Sequence, residues 1–137
     1  MCIRPRTTRR HFVCPPCRAS WKRRPAPGRD RCPYCRGELI DAGQDLAVPR
    51  KRDDAGWRAL TAVLAAGVTF HSRCCYGPGW RPRTPRQVRE RLALVRGGGV
   101  PVAEALTTRD LDELRAEVSA RRVPGPGRYS RAGRRGA

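Results

Sequence analysis

The chain has 137 residues and a formal net charge of +18, from 30 Lys and Arg against 12 Asp and Glu. That length fits one small domain with tails and excludes a multidomain synthetase or a large cofactor fold. With 14 Gly, 13 Pro and 31% charged residues, the core is thin, and small thin-cored domains need a metal or disulfide staple.

Among the basic residues only Lys22 and Lys51 are lysine, a bias that fits a GC-rich genome. Codon bias explains arginine in place of lysine, but not the excess of positive charge, which calls for a polyanionic partner. No run of 18 apolar residues is present, so no spanning helix is expected. The start, Met1-Cys2-Ile3-Arg4-Pro5-Arg6, is basic and not followed by an apolar stretch, which argues against a signal peptide. The expected location is cytoplasmic, where paired cysteines serve as metal ligands rather than disulfides.

In chain order, residues 1–10 read as a basic arm without periodicity. Residues 11–48 read as a zinc ribbon. His11-Phe12-Val13 forms a strand into a first cysteine knuckle, and Ala19-Ser20-Trp21-Lys22 leaves it. A basic loop leads to a second knuckle, from which Glu38-Leu39-Ile40 leaves as a strand, and Leu46-Ala47-Val48 is a further strand stopped by Pro49. Residues 49–120 read as a short helical region. A helix runs from about Asp54 to Ala66, capped by Asp53 or Asp54, with Trp57, Leu60, Val63 or Leu64, and Val68 at helical spacing and Gly67 as the stop. Thr84-Pro85-Arg86-Gln87 is a capping box opening a second helix, with Val88, Leu92 and Val95 on one stripe and Gly97 at its end. A further short helix starts near Thr108, with Leu111, Leu114 and Val118 inward. Residues 121–137 are an Arg/Gly/Pro-rich tail. The fold class is α+β: a small ribbon of short strands, two or three short helices, and basic disordered tails.

The strongest motif is Cys14-Pro15-Pro16-Cys17 with Cys32-Pro33-Tyr34-Cys35, the two pairs separated by 14 residues. Each Cys-x-x-Cys bends the backbone so that both sulfurs face one centre, and two facing pairs complete a tetrahedron. Prolines stiffen each knuckle, and Gly37 is read as the residue that turns the chain back. Four soft thiolates favour one Zn²⁺ per chain over harder-ligand metals, with rubredoxin-type iron as the minor alternative. Cys32-Pro33-Tyr34-Cys35 also matches the glutaredoxin motif, but that chemistry needs a helix N-terminus in a βαβ unit, and here a strand-like segment follows. A four-thiolate site is closed, hence structural, and no catalytic residue is assigned.

His71, Cys74 and Cys75 lie at chelating spacing. They read as a second metal or redox site, set against the plainer reading of small residues in a tight turn.

The charge is blocked: residues 1–36 carry 11 basic groups and one acidic group, and basic blocks alternate with near-neutral ones. Lys22, Arg23, Arg24, Arg29 and Arg31 form a phosphate-binding candidate flanked by Trp21 and Tyr34, since unpaired bases stack on aromatics and arginines. A second patch comprises Trp80, Arg81, Arg83, Arg86 and Arg89, continuing to Arg96. Its plainer reading is a set of solvated charges, with Trp21 and Trp80 in the core.

His11-Phe12-Val13-Cys14-x-x-Cys17-Arg18-Ala19-Ser20, Cys32-Pro33-x-Cys35, Ala47-Val48-Pro49, Asp54-x-x-Trp57-Arg58-Ala59-Leu60, Phe70-His71, Cys74-Cys75, Gly77-Pro78-Gly79, Arg81-Pro82-Arg83-Thr84 and Val88-Arg89-Glu90-Arg91 carry a resemblance. From Phe12 to Asp110 the chain resembles a group of small four-cysteine zinc-ribbon proteins from high-GC bacteria. The resemblance implies the zinc ligands, and it groups His71, Cys74 and Cys75 as a set. Members sometimes carry the label deoxyxylulose-phosphate synthase. This sequence lacks the Gly-Asp-Gly…Asn magnesium-diphosphate motif and the chain length of such an enzyme.

The expectation is therefore a non-enzymatic, zinc-stabilised nucleic-acid-binding protein, with RNA favoured over DNA and the ribosome as the expected assembly. The alternatives are a transcription-linked regulator binding DNA or RNA polymerase, and a metal or thiol redox sensor using His71, Cys74 and Cys75. Neither a membrane partner nor a small-molecule substrate is inferred.

Overall fold

The computed structural model describes residues 9–72 and 77–122. It is α+β, with element order β1 (Arg10–Cys14), β2 (Ala19–Arg23), β3 (Ile40–Gly43), α1 (Asp54–Ala65), α2 (Pro85–Val95), α3 (Val102–Thr107) and α4 (Leu111–Arg121). The three strands form one antiparallel sheet in the order β2-β1-β3. Phe12 pairs with Trp21 on one side and Asp41 on the other, and a bulge interrupts the β1–β3 register between His11 and Phe12.

The sheet packs on α1. Val13, Ala42 and Leu46 share a cluster with Trp57, Leu60 and Leu64, each of which is buried. The opposite stripe of α1, Ala59 and Val63, meets Val88 of α2, Leu106 of α3 and Val68. Phe70 packs against both clusters, and Val95, Val100, Ala105 and Leu114 close a third between α2, α3 and α4. Each fully buried Val or Leu stabilises by about 1.5–3 kcal/mol, so a short chain depends on α1 having apolar residues on two faces.

The caps follow from local chemistry. The Asp53 carboxylate accepts from the Gly56 N–H at 2.9 Å, and the Trp57 indole N–H donates to the Arg50 carbonyl at 3.0 Å. Thr84 and Gln87 form the full capping box at the start of α2. Asp110 caps α4, accepting from the N–H groups of Asp112 and Glu113.

Several expectations change. Leu46-Ala47-Val48 is not a strand. Leu46 is buried in the core while Ala47 and Val48 are exposed, and the outer side of β3 is met instead by Phe70, whose N–H donates to the Ala42 carbonyl at 2.7 Å. Glu38 makes only an isolated bridge with Arg31, so the strand leaving the second knuckle begins at Ile40. The last helix begins at Leu111 rather than near Thr108, and α3 was not anticipated, so the described residues hold four helices. The basic arm ends earlier than expected, because Arg10 opens β1; residues 1–8, the C-terminal tail beyond residue 122, and Cys74 and Cys75 lie outside the described residues.

No helix among the described residues is long and apolar enough to cross a membrane.

Candidate metal centre

Two turns bring the four cysteines together. The first joins β1 to β2, and the second lies in the loop between β2 and β3. Their sulfurs all lie within 4.8 Å of one another. The close pairs run between knuckles: Cys14 Sγ to Cys35 Sγ is 3.6 Å, and Cys32 Sγ to Cys17 Sγ is 3.8 Å. A tetrahedral ion with metal–sulfur bonds of about 2.3 Å requires sulfur–sulfur edges of about 3.8 Å. The cluster thus has the dimensions of a four-thiolate metal site and can hold a metal ion.

The second knuckle is a small hairpin. The Cys32 N–H donates to the Gly37 carbonyl at 2.8 Å, and the Leu39 N–H to the Asp30 carbonyl at 2.7 Å. The Tyr34 N–H points at Cys32 Sγ and the Gly37 N–H at Cys35 Sγ, each at 3.4 Å. Such N–H···S contacts favour the thiolate that a metal needs.

The residue after each pair is left-handed: Arg18 has φ 48° and Arg36 φ 64°. They are the non-glycine residues with positive φ among those described. Arg36, not Gly37, turns the chain. Gly37 is needed for closeness, since a Cβ there would lie 3.2 Å from Cys35 Sγ.

Cys14 and Cys32 are buried, Cys17 is half-buried and Cys35 is exposed. Leu39, Phe12 and Trp21 pack against the buried pair. In the metal-free thiols, burial pushes Cys14 up. Hydrogen bonding to Cys35, followed by burial, pushes Cys17 up to about 12. At Cys32 burial raises the value, but the N–H groups of Cys35 and Tyr34 outweigh it and bring the thiol down to about 7. Cys32 is therefore the most readily ionised of these three thiols, and binding a metal there releases thiol protons.

His71 lies apart from this cluster. Its Nδ1 is 2.8 Å from Thr69 Oγ1, and its Nε2 is 3.7 Å from Asp41 Oδ1. Asp41 also takes the Arg10 guanidinium at 2.9 Å.

The basic residues divide into two groups. Lys22, Arg24, Arg29 and Arg31 are exposed along the end of β2 and the loop leading to Cys32. Arg23 is half-buried, with its guanidinium over the Phe12 ring at 5.1 Å. In the second patch Arg83, Arg86 and Arg89 are exposed, with Arg86 paired to Glu90 at 2.8 Å. Arg81 turns inward. Its Nε and Nη2 donate to the Thr69 carbonyl at 3.2 and 2.9 Å, and burial lowers its pKa. Trp80 is half-buried beneath the Arg91 guanidinium. Trp80, Arg81 and Arg83 also line a cleft of about 360 Å³ with Phe70 and Leu60.

Sequence reasoning missed Arg91, the one charged side chain that is buried among the described residues. The signal was present: Arg91 stands three residues after Val88 and four before Val95, inside the apolar stripe.

No protein-family model, curated protein or solved structure matches the chain, so the site stands on its own geometry.

Proposed function

We propose that this chain is a zinc-stabilised nucleic-acid-binding protein whose target is RNA and which performs no chemistry of its own. Zinc is the ion best suited to four convergent thiolates, and bound there it supplies a cross-link between the two knuckles with no open coordination position for a substrate.

The observation that carries the reading is the placement of the basic loop. Lys22, Arg24, Arg29 and Arg31 are exposed on a segment tethered at both ends to the cysteine cluster. At one end β2 is paired to β1, which finishes at Cys14, and at the other Arg31 adjoins Cys32. Fixing cations in one geometry before binding removes part of the ordering cost of contacting phosphates. Exposed Arg83, Arg86 and Arg89 at the start of α2 extend the cationic surface.

Replacing Lys22, Arg24, Arg29 and Arg31 together by glutamine tests the reading. The metal-loaded variant should bind single-stranded RNA more weakly. Its slope of log K against log salt should flatten by about 0.7 for each phosphate contact removed. Undiminished affinity would remove the loop from the binding surface. Salt-sensitive co-sedimentation with ribosomal particles tests the proposed assembly.

A further inference from the structure

We propose that Tyr34 and Arg36, at the tip of the second knuckle, form a clamp for an unpaired nucleotide, the phenol ring stacking on the base and the guanidinium holding a flanking phosphate. This rests on the RNA reading above and names its contact.

The argument begins with a comparison of the two knuckles. Each closes on an arginine with positive φ, Arg18 at 48° and Arg36 at 64°. That region is strained for any residue with a Cβ, and glycine or asparagine ordinarily fills it. At Arg18 the side chain has a use in the fold. Its Nη1 donates to the Lys51 carbonyl at 3.3 Å and pairs with Asp54, tying the first knuckle to the start of α1.

Arg36 has no such use. Its main-chain N–H donates to the Cys32 carbonyl at 2.9 Å, and its carbonyl accepts from Arg31 Nη1 at 3.2 Å. Glycine would supply both groups without strain. The Arg36 side chain is exposed and makes no hydrogen bond or ion pair among the described residues. A strained position occupied by a side chain that does nothing for the fold points to a ligand.

Tyr34 stands two residues away and is 73% exposed. Its ring meets Trp21 in a tilted contact, with centroids 5.8 Å apart at 45°. An aromatic so open buries little apolar surface, but it offers a stacking platform on a knuckle that also carries exposed Arg36 and Arg31, whose Nη1 reaches the Arg36 carbonyl at 3.2 Å. The N–H···Sγ contacts of Tyr34 and Gly37 hold the tip between two cysteine sulfurs, so both side chains spring from fixed backbone. Bases inside a duplex are already stacked and cannot reach such a platform, which selects unpaired RNA.

The test uses the full-length zinc-loaded protein and two probes: a fluorescein-labelled single-stranded RNA of about twelve mixed nucleotides, and the same sequence as a blunt duplex. Tyr34→Ala should weaken single-strand binding about tenfold, leaving duplex binding and the salt slope unchanged. Arg36→Gly should weaken single-strand binding about threefold and flatten the slope by about 0.7, while melting no lower than wild type. Arg18→Gly should do the reverse, melting lower and binding as wild type does. Equal effects of Tyr34→Ala on both probes, no effect on either, or a lowered melting temperature for Arg36→Gly would each overturn the clamp. Failure of the wild-type protein to bind either probe would overturn the RNA reading itself, a result distinct from the loss of the clamp alone.

Discussion

The guanidinium carbon of Arg91 lies 4.1 Å from the centroid of the Trp80 ring, and its three nitrogens reach three main-chain carbonyls. Nη1 donates to Gln87 within α2 at 3.0 Å, Nε to Thr108 at 2.9 Å and Nη2 to Arg109 at 2.7 Å. The last two acceptors lie on the link between α3 and α4. Arg91 is 3% exposed, and burial lowers its pKa, yet the fork remains satisfied at every edge.

A planar fork can span three carbonyls, whereas an ammonium is a single point. Arg91→Lys should therefore cost about 2 kcal/mol, and Arg91→Met about 3 kcal/mol, because carbonyls in the α3–α4 link lose their donors. Trp80→Leu should cost about 1 kcal/mol for the lost cation–π contact. Denaturant unfolding of the metal-loaded protein reads all three. An Arg91→Lys variant as stable as wild type would show that α3 and α4 are held by apolar packing alone.

Gly43 marks where the ribbon meets the helical part. It has φ +96°, and a Cβ there would lie 2.6 Å from the Phe70 carbonyl carbon and 2.7 Å from the His71 nitrogen. The approach is fixed from both sides, since the Phe70 N–H donates to Ala42 and the Phe70 carbonyl accepts from the Asp45 N–H at 3.1 Å. Gly43→Ala should cost about 3 kcal/mol or more, because backbone, not a flexible side chain, stands in the way. Gly28 is the control. Its φ is +74° but nothing lies within 4 Å, so Gly28→Ala should cost only the conformational strain, about 1 kcal/mol. Equal losses for the two variants would show that the Phe70 strap yields.

The capping box of α2 sets where the exposed Arg86 and Arg89 begin. Thr84 Oγ1 accepts from the Gln87 N–H at 3.2 Å, and Gln87 Oε1 accepts from the N–H groups of Arg83 at 2.8 Å and Thr84 at 3.3 Å. Thr84→Ala should cost about 1 kcal/mol and Thr84→Ser almost nothing, read as thermal unfolding midpoints. An unaffected Thr84→Ala would mean that Pro85 alone is enough to start the helix.

The parts of the fold that were legible are those whose signal is local. Thr84-Pro85-Arg86-Gln87 and Asp53 declare their helices through side chains that bond within three residues. The four cysteines declare their cluster because each pair closes its own turn. Helix α3 was not legible: it has six residues, and Pro101 at its N-cap offers no side-chain bond. Leu46-Ala47-Val48 is a short apolar run stopped by Pro49, as a strand would be, but pairing is a tertiary property, and Phe70 meets β3 instead. Trp80 and Arg81 read as a surface patch because adjacency to other arginines says nothing of direction. Only their long-range partners, Arg91 and the Thr69 carbonyl, reveal that both turn inward.

Removing the metal tests the staple that the composition called for. The ribbon's own cluster holds Cys14, Cys32 and Leu39, with Phe12, Cys17 and Trp21 partly covering it. Two of the three buried members, Cys14 and Cys32, belong to the cluster that can hold the ion, so without one the knuckles retain little apolar burial and four converging thiols. The full chain should bind one zinc ion at the cysteine cluster, and a chelator should release it together with the ordered signal of residues 11–41. Cys14→Ser and Cys32→Ser should each abolish that binding, because a hydroxyl placed at a buried ligand position neither ionises nor packs as the thiol does. Cys35 is exposed, so Cys35→His can reach the ion from the open side and should keep metal at reduced affinity. Helix α1 also packs on α2 and α3, away from the sheet, through Ala59, Val63, Val88 and Leu106, so α1, α2 and Arg91 should remain folded after chelation. Heteronuclear NMR of the chelated chain reads both halves at once. A metal-free protein with its knuckle resonances still dispersed would show that the sheet, and not the metal, orders the basic loop.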